Sequence, residues 1–304
     1  MNTQVLCFPF LAGLFDGDGS IRVYKSTGEY VVTMHQEDLA LLEQLKNQFE
    51  GAIRKVANKK AIRWILNLKN AKNGRQTLIE LTQGLNGHIC NSVRIEQFKQ
   101  LCQAFGFPFK APEKLTNQNG YIAGLFCSDG TIFMNARPSA AAKKLKLAEK
   151  ETALKAATPT LTSSFVEVQN GEALKEKSIQ RVLKGVAPVI EVRIANQFLI
   201  NVENLPASLG FGVCYFNKKG KNPRGHFTFH VKSEKDILKF NTYMQKYKNA
   251  SVKYHRLCLV ETFYKLRKEG AHLANACQFQ KNQWENLIRQ WYNPSFACKQ
   301  SQKC

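Results

Sequence analysis

The chain has 304 residues, of which 44% are hydrophobic and 22% charged, the balance of a folded protein rather than of a disordered tail. Lys and Arg number 44 against 23 acidic residues, a formal net charge of +21. A compact domain keeps such self-repulsion only where something anionic offsets it, nucleic acid first among the candidates, although a basic ribosomal or membrane-surface protein would carry the same charge. No apolar run approaches the ~18 residues of a membrane span. Neither a secretory leader nor an Arg- and Ser-rich transit peptide is expected from the first residues. Nine cysteines without a C-x-x-C pair imply neither a disulfide framework nor a zinc site, and read as reduced thiols.

In chain order, the first predicted element is a helix over Phe10–Gly17, with Pro9 suited to its first turn. Ser20, Arg22, Tyr24 and Ser26 then alternate with Ile21 and Val23, the period of a strand with one wet face, and Glu29–His35 reads as its hairpin partner. Leu39, Leu42, Leu45 and Phe49 fall on one face of a helix that Gly51 stops. A second hairpin joins Arg54–Val56 to Ala61–Lys69, with Trp64, Leu66 and Leu68 inward, and helices follow at Gly74–Gly84 and Ser92–Phe105. Pro108–Asn119 reads as a linker, dividing a first half (1–107) from a second (120–270) with a tail (271–304) carrying a helix over Asn275–Tyr292.

The second half opens with a helix over Tyr121–Ser128 and repeats the order around a basic insertion, 136–188, with an Ala/Lys-rich helical run at Ala140–Ala157 and a loose Thr158–Ser164 link. Strand Val189–Ile194 resumes it, then a helix over Gln197–Leu205. A hairpin of Phe211–Asn217 and Gly225–Lys232 follows, with Phe227, Phe229 and Val231 inward and His226, Thr228 and His230 outward. Helices over Glu234–Tyr247 and Val252–Lys268 complete it.

One repeat carries chemistry. Phe10–Gly19 reads F-L-A-G-L-F-D-G-D-G and Tyr121–Gly130 reads Y-I-A-G-L-F-C-S-D-G. Gly13 and Gly17, and likewise Gly124 and Ser128, stand four apart, and small residues at that spacing let two helix backbones approach closely. The two helices should pack as a pseudo-twofold pair, with Asp18 and Asp129 emerging side by side. Two adjacent carboxylates repel unless cations lie between them, and oxygen donors favour Mg²⁺. An EF-hand is excluded, because its sixth and twelfth positions would be Ile21 and Thr27.

L-A-G-L-F-D-G-D-G and I-A-G-L-F-C-S-D-G resemble the paired motifs of single-chain LAGLIDADG homing endonucleases, and the resemblance covers nearly the whole chain except the insertion and the tail. It implies an α+β fold of two pseudo-symmetric αββαββα halves, each with a saddle-shaped antiparallel sheet, packed through the motif helices. It implies a monomeric, intron-encoded enzyme that cuts double-stranded DNA at a long target site and leaves short 3′ overhangs. Its metal acids are Asp18 and Asp129, helped by the backbone carbonyls of Gly17 and Ser128. Mg²⁺ is the cofactor, with Mn²⁺ substituting and Ca²⁺ binding without cleavage. Gln36 and Asn196, each just after the second strand of its half, match residues that order water. Lys253 and, in the first half, His88 match the basic pair, while Asp16 and Cys127 lie off the metal. An intron-RNA maturase is the rival reading. Gly87-His88-Ile89 running into Arg94-Ile95 is similar to members encoded in green-algal organelles, so the expected source is a chloroplast or mitochondrial intron.

The outward strand residues suit a major groove, since Arg matches guanine, Asn and Gln match adenine, and Ile touches a thymine methyl. Base contacts are expected from Arg22, Tyr24, Thr33, His35, Arg54, Arg63, Ile65, Asn67 and Lys69 in the first half. In the second they are expected from Asn135, Arg193, Tyr215, Asn217, His226, Thr228 and His230. Lys219, Lys221 and Arg224 in the basic hairpin turn should grip phosphates.

Overall fold

Two helices of nearly the same sequence organise the chain. In the computed structural model, which describes residues 5–24, 27–137, 171–219 and 222–293, α1 spans Phe8–Asp18 and α5 spans Tyr121–Asp129. Both are apolar on every side, and Phe10–Asp16 and Tyr121–Ser128 are buried throughout. A helix apolar all round must be covered all round. Here each covers the other, because glycine removes the side chain at the crossing. A β-carbon on Gly13 would stand 2.6 Å from the Leu125 nitrogen, and one on Gly124 would stand 2.9 Å from that of Leu14.

After α1 come β1 (Gly19–Tyr24), β2 (Thr27–His35), α2 (Leu39–Phe49), β3 (Ala52–Lys55), β4 (Ala61–Leu66), α3 (Gly74–Leu85) and α4 (Ser92–Phe105). After α5 come β5 (Gly130–Arg137), α6 (Gly171–Leu183), β6 (Val186–Asn196), α7 (Leu205–Leu209), β7 (Val213–Lys219), β8 (Asn222–Val231), α8 (Glu234–Gln245) and α9 (Val252–Cys258). Helices α10 (Val260–Lys268) and α11 (Gln278–Tyr292) follow. The strands form two four-stranded antiparallel sheets of the same order, β1-β2-β4-β3 and β5-β6-β8-β7. The fold is α+β, as the repeat implies. Tyr30, Val32, Met34, Ile62, Trp64 and Leu66 face the core of the first sheet, and Ile190, Val192, Ile194, Phe229 and Val231 that of the second.

The chain divides into two compact units, Met1–Ile132 with Glu191–Cys258, and Phe133–Ile190 with Leu259–Cys304. The first holds both motif helices, the whole first sheet and the β7–β8 hairpin. In the second, Trp284 of α11 packs on Phe263 at 5.4 Å, and Arg289 reaches Glu285 at 2.7 Å and Glu176 at 3.5 Å.

Several expectations are corrected. No helix covers Gln197–Leu205: a 3-10 turn at Leu199–Asn201 precedes α7, whose start Pro206 favours. The single helix expected over Val252–Lys268 is two, parted at Leu259. Leu39 is 41% exposed because it is the first residue of α2, and Leu68 is 44% exposed because β4 has already ended at Leu66; Leu41 and Ile62 take their places in the core. Thr228, expected outward and accessible, is buried, its hydroxyl accepting from Asn217 Nδ2 at 2.8 Å. Ser26, the Ala140–Ala157 run, the Thr158–Ser164 link and Lys221 lie outside the described residues, as do the side chains of Lys219 and Arg224.

Candidate metal centre

The two motif helices end alike. Gly19 and Gly130 are extended (φ −84° and −73°) and donate to the carbonyls of Phe15 and Phe126, which leaves Asp18 and Asp129 as the last helical residues. A helix C-terminus carries partial negative charge, so carboxylates there are unfavourable. Neither helix has a basic residue in its own last turn. Compensation comes from elsewhere. Lys253, in the first turn of α9, donates from Nζ to the carbonyls of Phe126 (3.4 Å), Cys127 (2.8 Å) and Ser128. It thereby caps α5 in the manner of a bound cation.

Burial pushes Asp18 up to about 6; Lys253 opposes the rise, while Asp129 and Asp38 add to it by repulsion. Burial raises Asp129 as well, against the pull of Lys253 and Arg94. Burial lowers Lys253, and Cys127, Asp18, Asp38 and Asp129 hold it charged.

Asp16 and Cys127 occupy the same place in the two helices and do the same work. Asp16 Oδ2 accepts from the backbone N–H of Cys90 (2.7 Å) and Asn91 (2.8 Å) and from the Tyr121 hydroxyl (2.7 Å). It fixes the turn that starts α4. Cys127 Sγ meets Asn249 Oδ1 at 3.5 Å and Ser251 Oγ at 3.4 Å, fixing the turn that starts α9. Each of these turns is also held by the other repeat. Asp38 Oδ1 accepts from Val252 N at 2.9 Å, and Asn201 Oδ1 accepts from Ser92 N at 3.1 Å.

Three expected residues have their hydrogen bonds elsewhere than at the two acids. Gln36 is exposed at the end of β2, its backbone N–H donating to Lys60 O at 3.1 Å. Asn196 Oδ1 accepts from Phe198 N (3.0 Å) and Asn201 Nδ2 (2.9 Å), which orders the turn after β6. His88 contributes its carbonyl to Cys90 Sγ at 3.3 Å. The basic group beside the first half's turn is instead Arg94 of α4, close enough to bear on both Asp16 and Asp129. Arg94 and Asp38 were missed by sequence reasoning. The available signal was alignment of the two helix starts, Asn91 with Ser251, which sets Arg94 beside the place of Lys253.

The Ser128 carbonyl, expected to face a metal, accepts from Lys253, and the Ser128 hydroxyl donates back to Leu125 O at 3.0 Å. Among the described residues no group of three or more His, Cys, Asp or Glu side chains is placed to hold a metal. The donor set is two carboxylates, both raised and both relieved by positive charge. All-oxygen donors of that kind fit a hard divalent cation that keeps much of its water.

Both sheets turn a polar face away from the core. Arg22, Tyr24, His35, Arg54, Lys69, Asn135, Arg193 and Tyr215 are exposed there, and Thr33, Arg63, Ile65, Asn67, Asn217, His226 and His230 are half-buried. Arg63 Nε donates to Thr33 Oγ1 at 3.1 Å across β2 and β4.

Residues 11–105 match the sequence model of the LAGLIDADG endonuclease family. An intron-encoded RNA maturase of Saccharomyces cerevisiae is 28% identical over 93% of the chain, and a probable intron-encoded endonuclease of Debaryomyces hansenii is 25% identical over the same share. The chain spans only 36% and 37% of the length of these two relatives. An intron-encoded DNA endonuclease of Dictyostelium discoideum is 22% identical, with 88% of its length covered. Among solved structures, the I-SmaMI LAGLIDADG homing endonuclease bound to cleaved DNA superposes with a TM-score of 0.55 at 18% identity, over 94% of this chain and 96% of that one. The homing endonuclease I-GzeII in complex with its DNA target gives 0.56 at 13% identity, over 95% and 98%.

Proposed function

The chain belongs to the LAGLIDADG family, and on that premise we propose that it is a site-specific homing endonuclease that cuts double-stranded DNA as a monomer, using Mg²⁺, and leaves short 3′ overhangs. The observation that carries the reading is the pairing of Asp18 and Asp129 at the ends of two helices locked together by Gly13 and Gly124. RNA binding alone has no use for buried, mutually repelling carboxylates.

Asp18 and Asp129 would hold the metal, which supplies Lewis-acid stabilisation of a phosphoryl group and an acidified water. Mn²⁺ should substitute, and Ca²⁺ should bind without cleavage. Lys253 and Arg94 offset the acids as phosphate approaches, so the site presents little net charge to a polyanion. Gln36, just after β2, and Asn196, the last residue of β6, are assigned to ordering water, and Arg94 takes the place first given to His88. DNA lies along the polar faces of the two sheets, whose Arg, Asn and His side chains read base edges. The two halves, 1–107 and 120–270, joined by 108–119, divide the target between them, with 136–188 as an insertion and 271–304 as a tail. The similarity to intron-encoded relatives favours an intron-borne gene, which we assign to an organelle.

The maturase reading has one observation in its favour, the similarity to an intron-encoded RNA maturase of Saccharomyces cerevisiae. Selection of cleaved sites from a randomised duplex library with Mg²⁺ separates the two. Recovery of one long site supports the nuclease. No cleavage with either Mg²⁺ or Mn²⁺, together with stimulated splicing of an intron RNA, replaces it by the maturase.

A further inference from the structure

Ile190, Val192 and Ile194 of β6 are fully buried on the core face, so Glu191 and Arg193 between them belong to the opposite, polar face. Glu191 is nevertheless only 3% exposed. Two of the three groups that cover it, Arg193 and His230, are ones expected to touch DNA. Arg193 Nη2 lies 2.6 Å and His230 Nε2 3.1 Å from its Oε2, and Lys232 Nζ lies 3.8 Å from its Oε1. Arg193 and His230 are direct partners across β6 and β8.

An acid at this place has two costs. Burying a carboxylate is costly unless positive charge and hydrogen bonds compensate it, and an acid on the face that meets a polyanion weakens non-specific attraction. A threonine or valine would serve the sheet as well. We propose that Glu191 is a specificity-determining residue of the second sheet: its carboxylate holds Arg193 and His230 in fixed orientations, so that they read base edges. This rests on the DNA-binding reading above.

The fixed orientations define what is read. The Arg193 side chain remains 44% exposed, and its planar fork matches O6 and N7 of guanine. Burial, and then the charge of Arg193, lower the basicity of His230 against the pull of Glu191, which favours the uncharged ring near neutral pH. A carboxylate only accepts, so the ring proton sits on Nε2, and Nδ1 is left as an acceptor. In the major groove an acceptor complements the amino group of cytosine or adenine. A single G·C pair satisfies both residues, guanine through Arg193 and cytosine through His230.

The first sheet carries a looser version. Glu29 meets Arg22 at 3.5 Å and Asn67 Nδ2 at 3.0 Å, and the Arg22 side chain is 57% exposed.

The test is a binding selection in Ca²⁺ from a randomised duplex library, run on wild type, Glu191→Gln, Arg193→Ala and the double variant. Wild type should enrich a G·C pair that Glu191→Gln reads at least tenfold less selectively, with equal or tighter binding to random duplex. The double variant should be no less selective there than Arg193→Ala. Arg193→Lys, which keeps the charge without the fork, should lose the same preference even if Glu191→Gln does not fold. An unchanged profile in Glu191→Gln, or in Arg193→Lys, overturns the proposal and leaves DNA binding intact. A flat profile for wild type overturns the DNA-binding reading itself.

Discussion

Asp18→Asn should stabilise the metal-free protein while disarming it. In the fold Asp18 titrates at about 6 rather than at its ordinary 3.8, because burial and the neighbouring Asp129 and Asp38 outweigh Lys253. A group whose folded pKa is raised holds its proton more tightly in the fold. Its contribution is therefore favourable at low pH and is lost as pH rises from about 4 through 6. Two pKa units correspond to ~3 kcal/mol carried against the fold at pH 8. Asparagine keeps the shape and sheds the charge. For a chain of this size the gain equals a rise in melting temperature of roughly 5–10 °C. Thermal melts of both proteins in chelator, from pH 4 to 8, should show curves that coincide at the acid end and separate as pH rises. Millimolar Mg²⁺ should then raise the wild-type melting temperature by mass action and leave the variant where it was. A variant that melts at or below wild type at pH 8, or that still gains from Mg²⁺, would refute the account of Asp18 as a strained metal ligand.

In a supercoiled plasmid carrying the selected site, Asp18→Asn and Asp129→Asn should each abolish linearisation while gel-shift binding in Ca²⁺ is kept; full linearisation by Asp129→Asn removes the second motif from the mechanism. Lys253→Met strips a cap from three carbonyls and a counter-charge from the acids, and should lower stability in urea by ~3–5 kcal/mol. Combined with Asp18→Asn it should cost less than the sum of the two single effects. Gly13→Ala drives a methyl into the Tyr121 backbone and should cost ~3 kcal/mol or more, read as a lower urea midpoint at unchanged slope. DNA affinity should fall steeply with salt, log K losing ~0.9 per log unit for each phosphate neutralised; a flat response would detach the +21 charge from binding.

What sequence could reveal was whatever depends on neighbours in the chain. Ile21, Tyr30, Val32, Trp64 and Leu66 follow a two-residue period, and the sheet buries them. The Gly13 and Gly124 contact was legible because only glycine permits it. The break at Leu259 was not, because no Pro or Gly marks it and the helical pattern runs on through Val260 and Phe263. Asp38 stands immediately before α2, yet its side chain leaves that helix uncapped and bonds Val252, 214 residues away. Arg94 was one charged residue among many on an amphipathic helix. Its bearing on Asp129 depends on how two distant segments meet, and local pattern carries no trace of that.

The crossed caps have a bearing on where such a chain can be cut and rejoined. Asp38, from the first repeat, finishes the start of α9 in the second, and Asn201, from the second, finishes the start of α4 in the first. Each repeat thus lends the other the group that seats its basic residue. A symmetric dimer of the first repeat would set two aspartates where this chain has one aspartate and one asparagine, and a dimer of the second would have two asparagines and no such acid. The repeats have ceased to be interchangeable parts. Hybrids that join one of them to a foreign mate inherit a mismatched loan at residue 38 or 201, and those two positions are the first to repair.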